Sequence, residues 1–186
     1  MSTDIIIWFF VAVQFILLIV GVFLVAFVGS LLFYWKPKQG VPWVPTGARA
    51  SDHMMRLADV KRGETVLDLG CGDGRVVLHA AQAFGANGIG YDWNPVLVMM
   101  GKLSVWRHGL RGRARVHRGD ILSLSYPPAD LIALYLFDHL NARLEPRLRA
   151  QYPQGTRVVT RRFVFPNLRE VRSSDFEGET YHLYEL

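Results

Sequence analysis

Two kinds of hydrophobic patterning occupy the chain: one uninterrupted apolar run, then short apolar bursts separated by turn signals and helical periodicity. From Ile5 to Trp35 there is no Lys, Arg, Asp or Glu, and Gln14 is the only strongly polar side chain deep in the run. About 20 apolar residues cross a bilayer, so this run predicts one membrane-spanning helix with its excess length absorbed by tilt. No turn cluster divides it, since Gly21 and Gly29 stand singly. A cleaved signal peptide is disfavoured by the length, the lack of a basic start and the lack of a small-residue cleavage site. Three prolines and two glycines between Lys36 and Gly47 stop the helix and predict a linker or ordered loop. The expected organisation is an anchor over 1–36, a proline-rich linker and access loop over 37–50, and one folded domain over 51–186.

Within that domain a helix is expected from Ser51, with Met54, Met55, Leu57 and Ala58 on its apolar face. Thr65 to Leu69, Gly88 to Tyr91, Ala114 to His117, Leu131 to Leu136 and Thr156 to Thr160 read as five buried strands. Helices are expected at Val76 to Phe84, Val96 to Arg107 and Asn141 to Ala150, and the alternation Thr180 to Glu185 suits a terminal antiparallel strand. Strands alternating with helices predict an α/β fold with a doubly wound, mostly parallel sheet.

Composition adds little to the fold and more to the setting. The chain has 186 residues with 51% hydrophobic, and the excess sits in the apolar run. Cys71 is the only cysteine, which excludes an intramolecular disulfide and leaves a cysteine-built metal cluster unsupported. The six histidines lack metal-ligand spacing, so no metal is expected. Formal charge is +5, and because Asp4 is the only Asp, Glu, Lys or Arg before Lys36, the remainder carries 21 basic against 15 acidic residues. Asp4 before the helix, with Lys36, Lys38 and Arg49 after it, places the C-terminal side in the cytoplasm of a single-pass membrane protein. The basic run from Arg107 to Arg118 lacks interleaved aromatic residues, so it reads as a solvated face and no nucleic acid is expected.

Candidate chemistry concentrates in Val66-Leu67-Asp68-Leu69-Gly70-Cys71-Gly72-Asp73-Gly74-Arg75, a strand running into a glycine-dense turn and then a helix. A dinucleotide fingerprint would need its third glycine where Arg75 stands. The GxGxG spacing of Gly70, Gly72 and Gly74 after Asp68 instead resembles motif I of class I methyltransferases, which implies S-adenosylmethionine as cofactor. Asp92, 22 positions after Gly70 at a strand end, is placed to accept hydrogen bonds from ribose hydroxyls. Asp120, with Ile121 beside it, is placed to meet an adenine amino group. Trp93 either covers an adenine face or packs into the core.

The resemblance narrows with Val41-Pro42-Trp43-Val44-Pro45-Thr46, Leu134-Tyr135-Leu136, and Asn141, Arg143, Leu144 and Pro146. Together with motif I these resemble a family of small protein-lysine N-methyltransferases, which includes enzymes that modify the ATP synthase c-subunit and the adenine nucleotide translocase, and archaeal enzymes. The resemblance implies a Rossmann-like class I methyltransferase fold, a protein substrate, and an access loop at Pro45 and Thr46 that closes over the cofactor. It also implies that the fourth-strand edge at Tyr135 borders the amine, with Phe163 at the substrate opening. Gly47, where the family usually has another proline, and Thr160-Arg161-Arg162-Phe163 after the fifth strand depart from the pattern. Two alternatives stay open: a membrane-associated methyltransferase acting on a lipid or quinone, and a protein that binds S-adenosylmethionine without turnover. Oligomeric state and catalytic base are not legible.

Overall fold

The computed structural model describes residues 3–34 and 43–186, in two compact units, Met1–Pro42 and Trp43–Leu186. Lys36, Lys38, Val41 and Pro42 of the expected linker lie outside the described residues. The described part of the first unit is one helix, α1 (Thr3–Tyr34). Its segment Ile7–Gly29, 23 residues, is long and apolar enough to cross a membrane by length and composition, and every side chain in it is exposed.

The second unit begins at Trp43, so the access segment is part of it. It contains α2 (Ala48–Leu57), β1 (Thr65–Leu69), α3 (Arg75–Ala83), β2 (Asn87–Asp92), α4 (Pro95–Arg107) and β3 (Ala114–Arg118). There follow β4 (Leu131–Leu134), α5 (Asp138–Gln151), β5 (Arg157–Arg161), β6 (Arg169–Phe176) and β7 (Glu179–Glu185). The strands form one sheet in the order β3-β2-β1-β4-β5-β7-β6. β1 to β5 are mutually parallel, and β7 runs antiparallel to both β5 and β6. Chain order therefore reverses beside β1, which has β2 on one side and β4 on the other.

Burial explains the near-continuous apolar strands. Val66, Leu67 and Leu69 of β1 and Leu131, Ile132, Ala133 and Leu134 of β4 are at most 1% exposed, as expected for strands covered on both faces. The α3 side chains Val76, Val77, Leu78, Ala80 and Ala81 are buried. They approach β2 so closely that a Cβ added at Gly88 would lie 2.5 Å from the Val77 carbonyl oxygen. α2 is fastened at its other side: the Arg157 guanidinium donates to Asp59 O at 3.2 Å and pairs with Glu64 at 2.7 Å, while the His53 ring stacks on Phe176 at 4.6 Å.

Several boundaries differ from expectation. α2 and α5 each begin three residues early, at Ala48 and Asp138, and β4 ends at Leu134 rather than Leu136. The helix starts were obscured because neither N-cap residue, Gly47 or Phe137, supplies a side-chain cap. β6 was not anticipated. It is an edge strand whose residues are all exposed or half-buried, so it lacks an apolar alternation. The turn that creates it is Glu177-Gly178, both with positive φ (52° and 77°), the sign that a two-residue hairpin turn of type I′ demands. A register shift between Glu170 and Arg172 bulges the same strand.

Gly88→Ala should overpack the α3–β2 contact and destabilise the folded unit by about 1–3 kcal/mol. Urea unfolding should show a lower midpoint with an unchanged slope.

Candidate functional site

Motif I occupies the connection from β1 to α3, at the C-terminal end of the parallel strands. Gly70, Gly72 and Gly74 all have positive φ (88°, 56° and 77°), a region where an L side chain is strained. Space makes a separate demand at Gly72, where a Cβ would lie 2.5 Å from Trp43 Nε1. Trp43 therefore lies against the turn. The Arg75 guanidinium sits 5.8 Å from the Trp43 ring centroid and is itself paired with Asp73 at 2.8 Å.

Asp92, the last residue of β2, ties this turn to the neighbouring strand. Its Oδ2 accepts from Gly72 N–H at 2.8 Å and its Oδ1 accepts from Asn94 N–H at 2.8 Å. Asn94 in turn caps α4, its Oδ1 accepting from Val96 N–H at 2.9 Å. Burial pushes the Asp92 pKa up, and the backbone amides of Asn94, Gly72 and Trp93 oppose that shift. A carboxylate oxygen has two lone pairs, so Asp92 retains acceptor capacity. Asp68 is 5% exposed. Burial foremost, then the charges of Asp92 and Asp73, push its pKa up to about 8. Burial foremost, then the charges of Asp68, Asp92 and Asp73, push the Cys71 thiol well up, which makes it a poor nucleophile.

Asp120 and Ile121 follow β3, the strand beside β2. Asp120 Oδ1 accepts from Leu122 N–H at 3.0 Å, and its carbonyl accepts from Ser123 and Leu124 amides at 2.9 and 3.1 Å, closing a compact turn. Ile121 is buried. Trp93 is half-buried directly after Asp92, and its carbonyl accepts from Arg118 Nε at 3.3 Å.

On the other side of β1, the ends of β4 and β5 bring Tyr135 and Phe163 together at 5.9 Å between ring centroids. Phe137 meets Phe163 edge-on at 5.0 Å. The Arg161 guanidinium lies 4.7 Å from the centroid of Tyr135. Two α5 side chains hold the Phe163 segment: Asp138 Oδ1 accepts from Val164 N–H at 2.8 Å, and Asn141 Nδ2 donates to Phe163 and Val164 carbonyls at 3.4 and 3.3 Å. Thr46 is buried and Pro45 exposed just ahead of α2.

The structure thus gathers Asp68, Gly70, Gly72, Gly74 and Asp92 on one turn, sets Asp120, Ile121 and Trp93 on the β2–β3 side, and sets Tyr135 and Phe163 on the β4–β5 side. Sequence reasoning missed Trp43, Phe137 and Arg161 as parts of the site. Trp43 had a signal, since it stands inside the Val41 to Thr46 motif. Arg161 also had one, since it stands in the Thr160 to Phe163 segment that departs from the family pattern, but its contact with Tyr135 had none; Phe137 had none, because its relevance comes from a ring contact beyond β4 and β5. Among the described residues no group of three or more His, Cys, Asp or Glu is arranged to hold a metal.

A Rossmann-like sheet in this order, with its glycine turn and strand-end carboxylates, defines an S-adenosylmethionine-dependent methyltransferase. The family described as the ANTKMT methyltransferase domain matches residues 68–172, and the chain belongs to it. A protein-lysine N-methyltransferase of Saccharolobus islandicus is 32% identical over 66% of this chain and 77% of its own length. The ATP synthase c-subunit lysine N-methyltransferase of Rattus norvegicus is 32% identical over 78% of this chain and 67% of its own. The adenine nucleotide translocase lysine N-methyltransferase of Mus musculus is 36% identical over 70% of this chain, which spans 57% of that relative. Among solved structures, an RNA methyltransferase from Salinibacter ruber in complex with S-adenosyl-L-homocysteine superposes with a TM-score of 0.74 and 34% identity, covering 76% of this chain and 93% of that one.

The Asp68 carboxyl gives a measurable pH signature. Between its ordinary value of 3.8 and about 8, the folded protein holds this proton and the unfolded chain has lost it. Unfolding then releases a proton, so the Asp68 contribution to stability is full below the lower value and falls as pH rises through the upper one. The stability of the wild type relative to Asp68→Asn should decline from pH 4 towards 8 and level off above it, as read by denaturant titration across that range.

Proposed function

We propose that the chain methylates a lysine side chain of a protein at or in a membrane, held there by α1 as a single-pass anchor with the catalytic unit on the cytoplasmic side. The observation that carries the reading is the division of the strand ends, with carboxyls and a glycine turn at β1–β2 and an aromatic cluster at β4–β5. The S-adenosylmethionine donor fits the first half: its cationic sulfonium and ammonium suit the convergence of Asp68, Asp92 and Asp73, and the open backbone at Gly70 and Gly72 lets a ligand approach closely. Bound there, the cofactor supplies a methyl group on a positively charged sulfur.

In this reading Asp92 accepts from the ribose hydroxyls, Asp120 and Ile121 border the adenine with Trp93 beside it, and Asp68 serves the methionyl end. Cations near Asp68 favour its ionised form, so cofactor binding should release a proton near neutral pH. Pro45 and Thr46, with Trp43, close the turn from outside. The acceptor amine has to be neutral, which for an ordinary lysine of pKa about 10.4 costs about 4.6 kcal/mol at pH 7. Tyr135, Phe137 and Phe163 lower that cost by desolvating the ammonium, and the Arg161 cation stacked on Tyr135 disfavours the charged form further. Line-up of the amine with the methyl group then supplies most of what an in-line displacement needs.

The names of the archaeal, rat and mouse relatives favour lysine over a lipid or quinone acceptor, and the membrane setting rests on α1 together with the charges that flank it in the sequence. The solved relative named as an RNA methyltransferase supports nucleic acid as the second reading. Purified protein incubated with methyl-labelled cofactor and membranes, followed by separation of protein, lipid and RNA, should place the label in protein and release methyl-lysine on acid hydrolysis. Label confined to lipid or to RNA would overturn the lysine assignment. In the same protein Asp92→Ala should weaken cofactor binding at least tenfold by calorimetry, since hydrogen bonds to a charged group are worth about 1.5–3 kcal/mol each. Unchanged affinity in the folded variant would remove Asp92 from the cofactor site.

A further inference from the structure

Helix α4 is apolar on both faces. Leu97, Val98, Gly101 and Val105 are buried against the sheet. Met99, Leu103 and Trp106 recur at helical spacing on the opposite side and are 64%, 51% and 54% exposed. A helix apolar all round belongs in an apolar environment, and nothing within the described residues covers this outer stripe. Its surroundings are strongly one-signed: from Trp93 to Gly119 there are six Lys or Arg residues and no Asp or Glu. Lys102, Arg107, Arg111, Arg113, Arg115 and Arg118 are all exposed, and the Arg111 guanidinium lies 5.9 Å from the Trp106 ring centroid.

We propose that this face of α4, with Met99, Leu103 and Trp106 at its centre and Lys102, Arg107 and Arg111 around it, docks on an anionic lipid surface. The inference rests on the membrane reading above in one respect: α1 brings a bilayer within reach. Nine peptide units separate Tyr34 from Trp43, about 30 Å at most when fully extended, so a domain tethered by a membrane-spanning α1 stays within one domain's width of the headgroups. Chemistry selects the occupant. An apolar stripe ending in a tryptophan and rimmed by cations is the pattern of an interfacial helix, which sinks its apolar side chains at the acyl boundary while Lys and Arg meet anionic headgroups. A single-stranded nucleic acid would call for several stacking aromatics rather than two aliphatic side chains and one indole. A second copy would bring the same cations into opposition. Because α4 starts three residues after Asp92, such docking would also fix how the cofactor side of the sheet faces the bilayer.

Hydroxyl-radical footprinting of the full chain in nanodiscs tests this side chain by side chain. Oxidation of Met99, Met100 and Trp106 is expected to fall at least fivefold in discs containing 30% phosphatidylserine relative to pure phosphatidylcholine, with buried Met54 and Met55 unreactive in both. Lys102→Glu, Arg107→Glu and Arg111→Glu together should restore the oxidation. Equal oxidation in the two lipids, with the protein co-eluting with the discs, would overturn the docking while leaving the anchor intact, whereas failure to co-elute would indict the anchor itself. Protection that appears in phosphatidylcholine discs only on adding an RNA oligonucleotide, or only on raising protein concentration, would likewise overturn the lipid assignment in favour of nucleic acid or self-association.

Discussion

A single buried carboxylate organises the C-terminal end of the parallel strands. Asp92 accepts from Gly72 N–H through one oxygen and from Asn94 N–H through the other, so it fixes the depth of the glycine turn, the end of β2 and the start of α4 together. Leaving such an amide buried without a partner costs about 1–3 kcal/mol, and desolvating the carboxylate is itself unfavourable. Each group therefore depends on the other. Bringing the β1 and β2 ends this close also sets Asp92 near Asp68, where its charge adds to burial in raising the Asp68 proton affinity.

The reversal of strand order beside β1 gives that arrangement its functional sense, since ligands of open α/β sheets bind in the crevice opened at such a reversal. On the β2 side the strand ends carry acid, suited to a cationic cofactor. On the β4 side they carry aromatic rings and a guanidinium, suited to holding an amine uncharged. α5 holds the chain beyond β5 in place on the β4 side, because Asp138 and Asn141 grip the Phe163–Val164 backbone from the helix start.

What was legible in the sequence followed burial and turn chemistry. β1 matched its expected limits because the buried Val66, Leu67 and Leu69 lie between the Arg62-Gly63 turn and Gly70, and the other parallel strands were visible as short apolar bursts between turn signals. The glycine turn, the carboxylate ending β2 and the one following β3 could be picked out from their spacing and strand-end positions. β6 could not, because Arg169 to Phe176 is a solvent-facing edge whose pairing is set by the Glu177-Gly178 turn rather than by an apolar alternation. Phe137, and the contact of Arg161 with Tyr135, escaped notice because contacts between side chains at neighbouring strand ends depend on strand order and register, which are invisible until the sheet is known. Trp43 is intermediate: its motif could be seen, its partner Gly72 could not.

The unanticipated edge strand has a consequence for how the protein tolerates crowding. A sheet with a free edge can recruit strands from neighbouring molecules, and flat, apolar edges do so most readily. Here the outermost strand carries Arg169, Glu170, Arg172 and Asp175 and is bulged between Glu170 and Arg172. Charges and a local twist make it a poor template for strand addition. Edge-to-edge association through β6 is therefore disfavoured, and on this side the sheet of the described residues stops at its seventh strand.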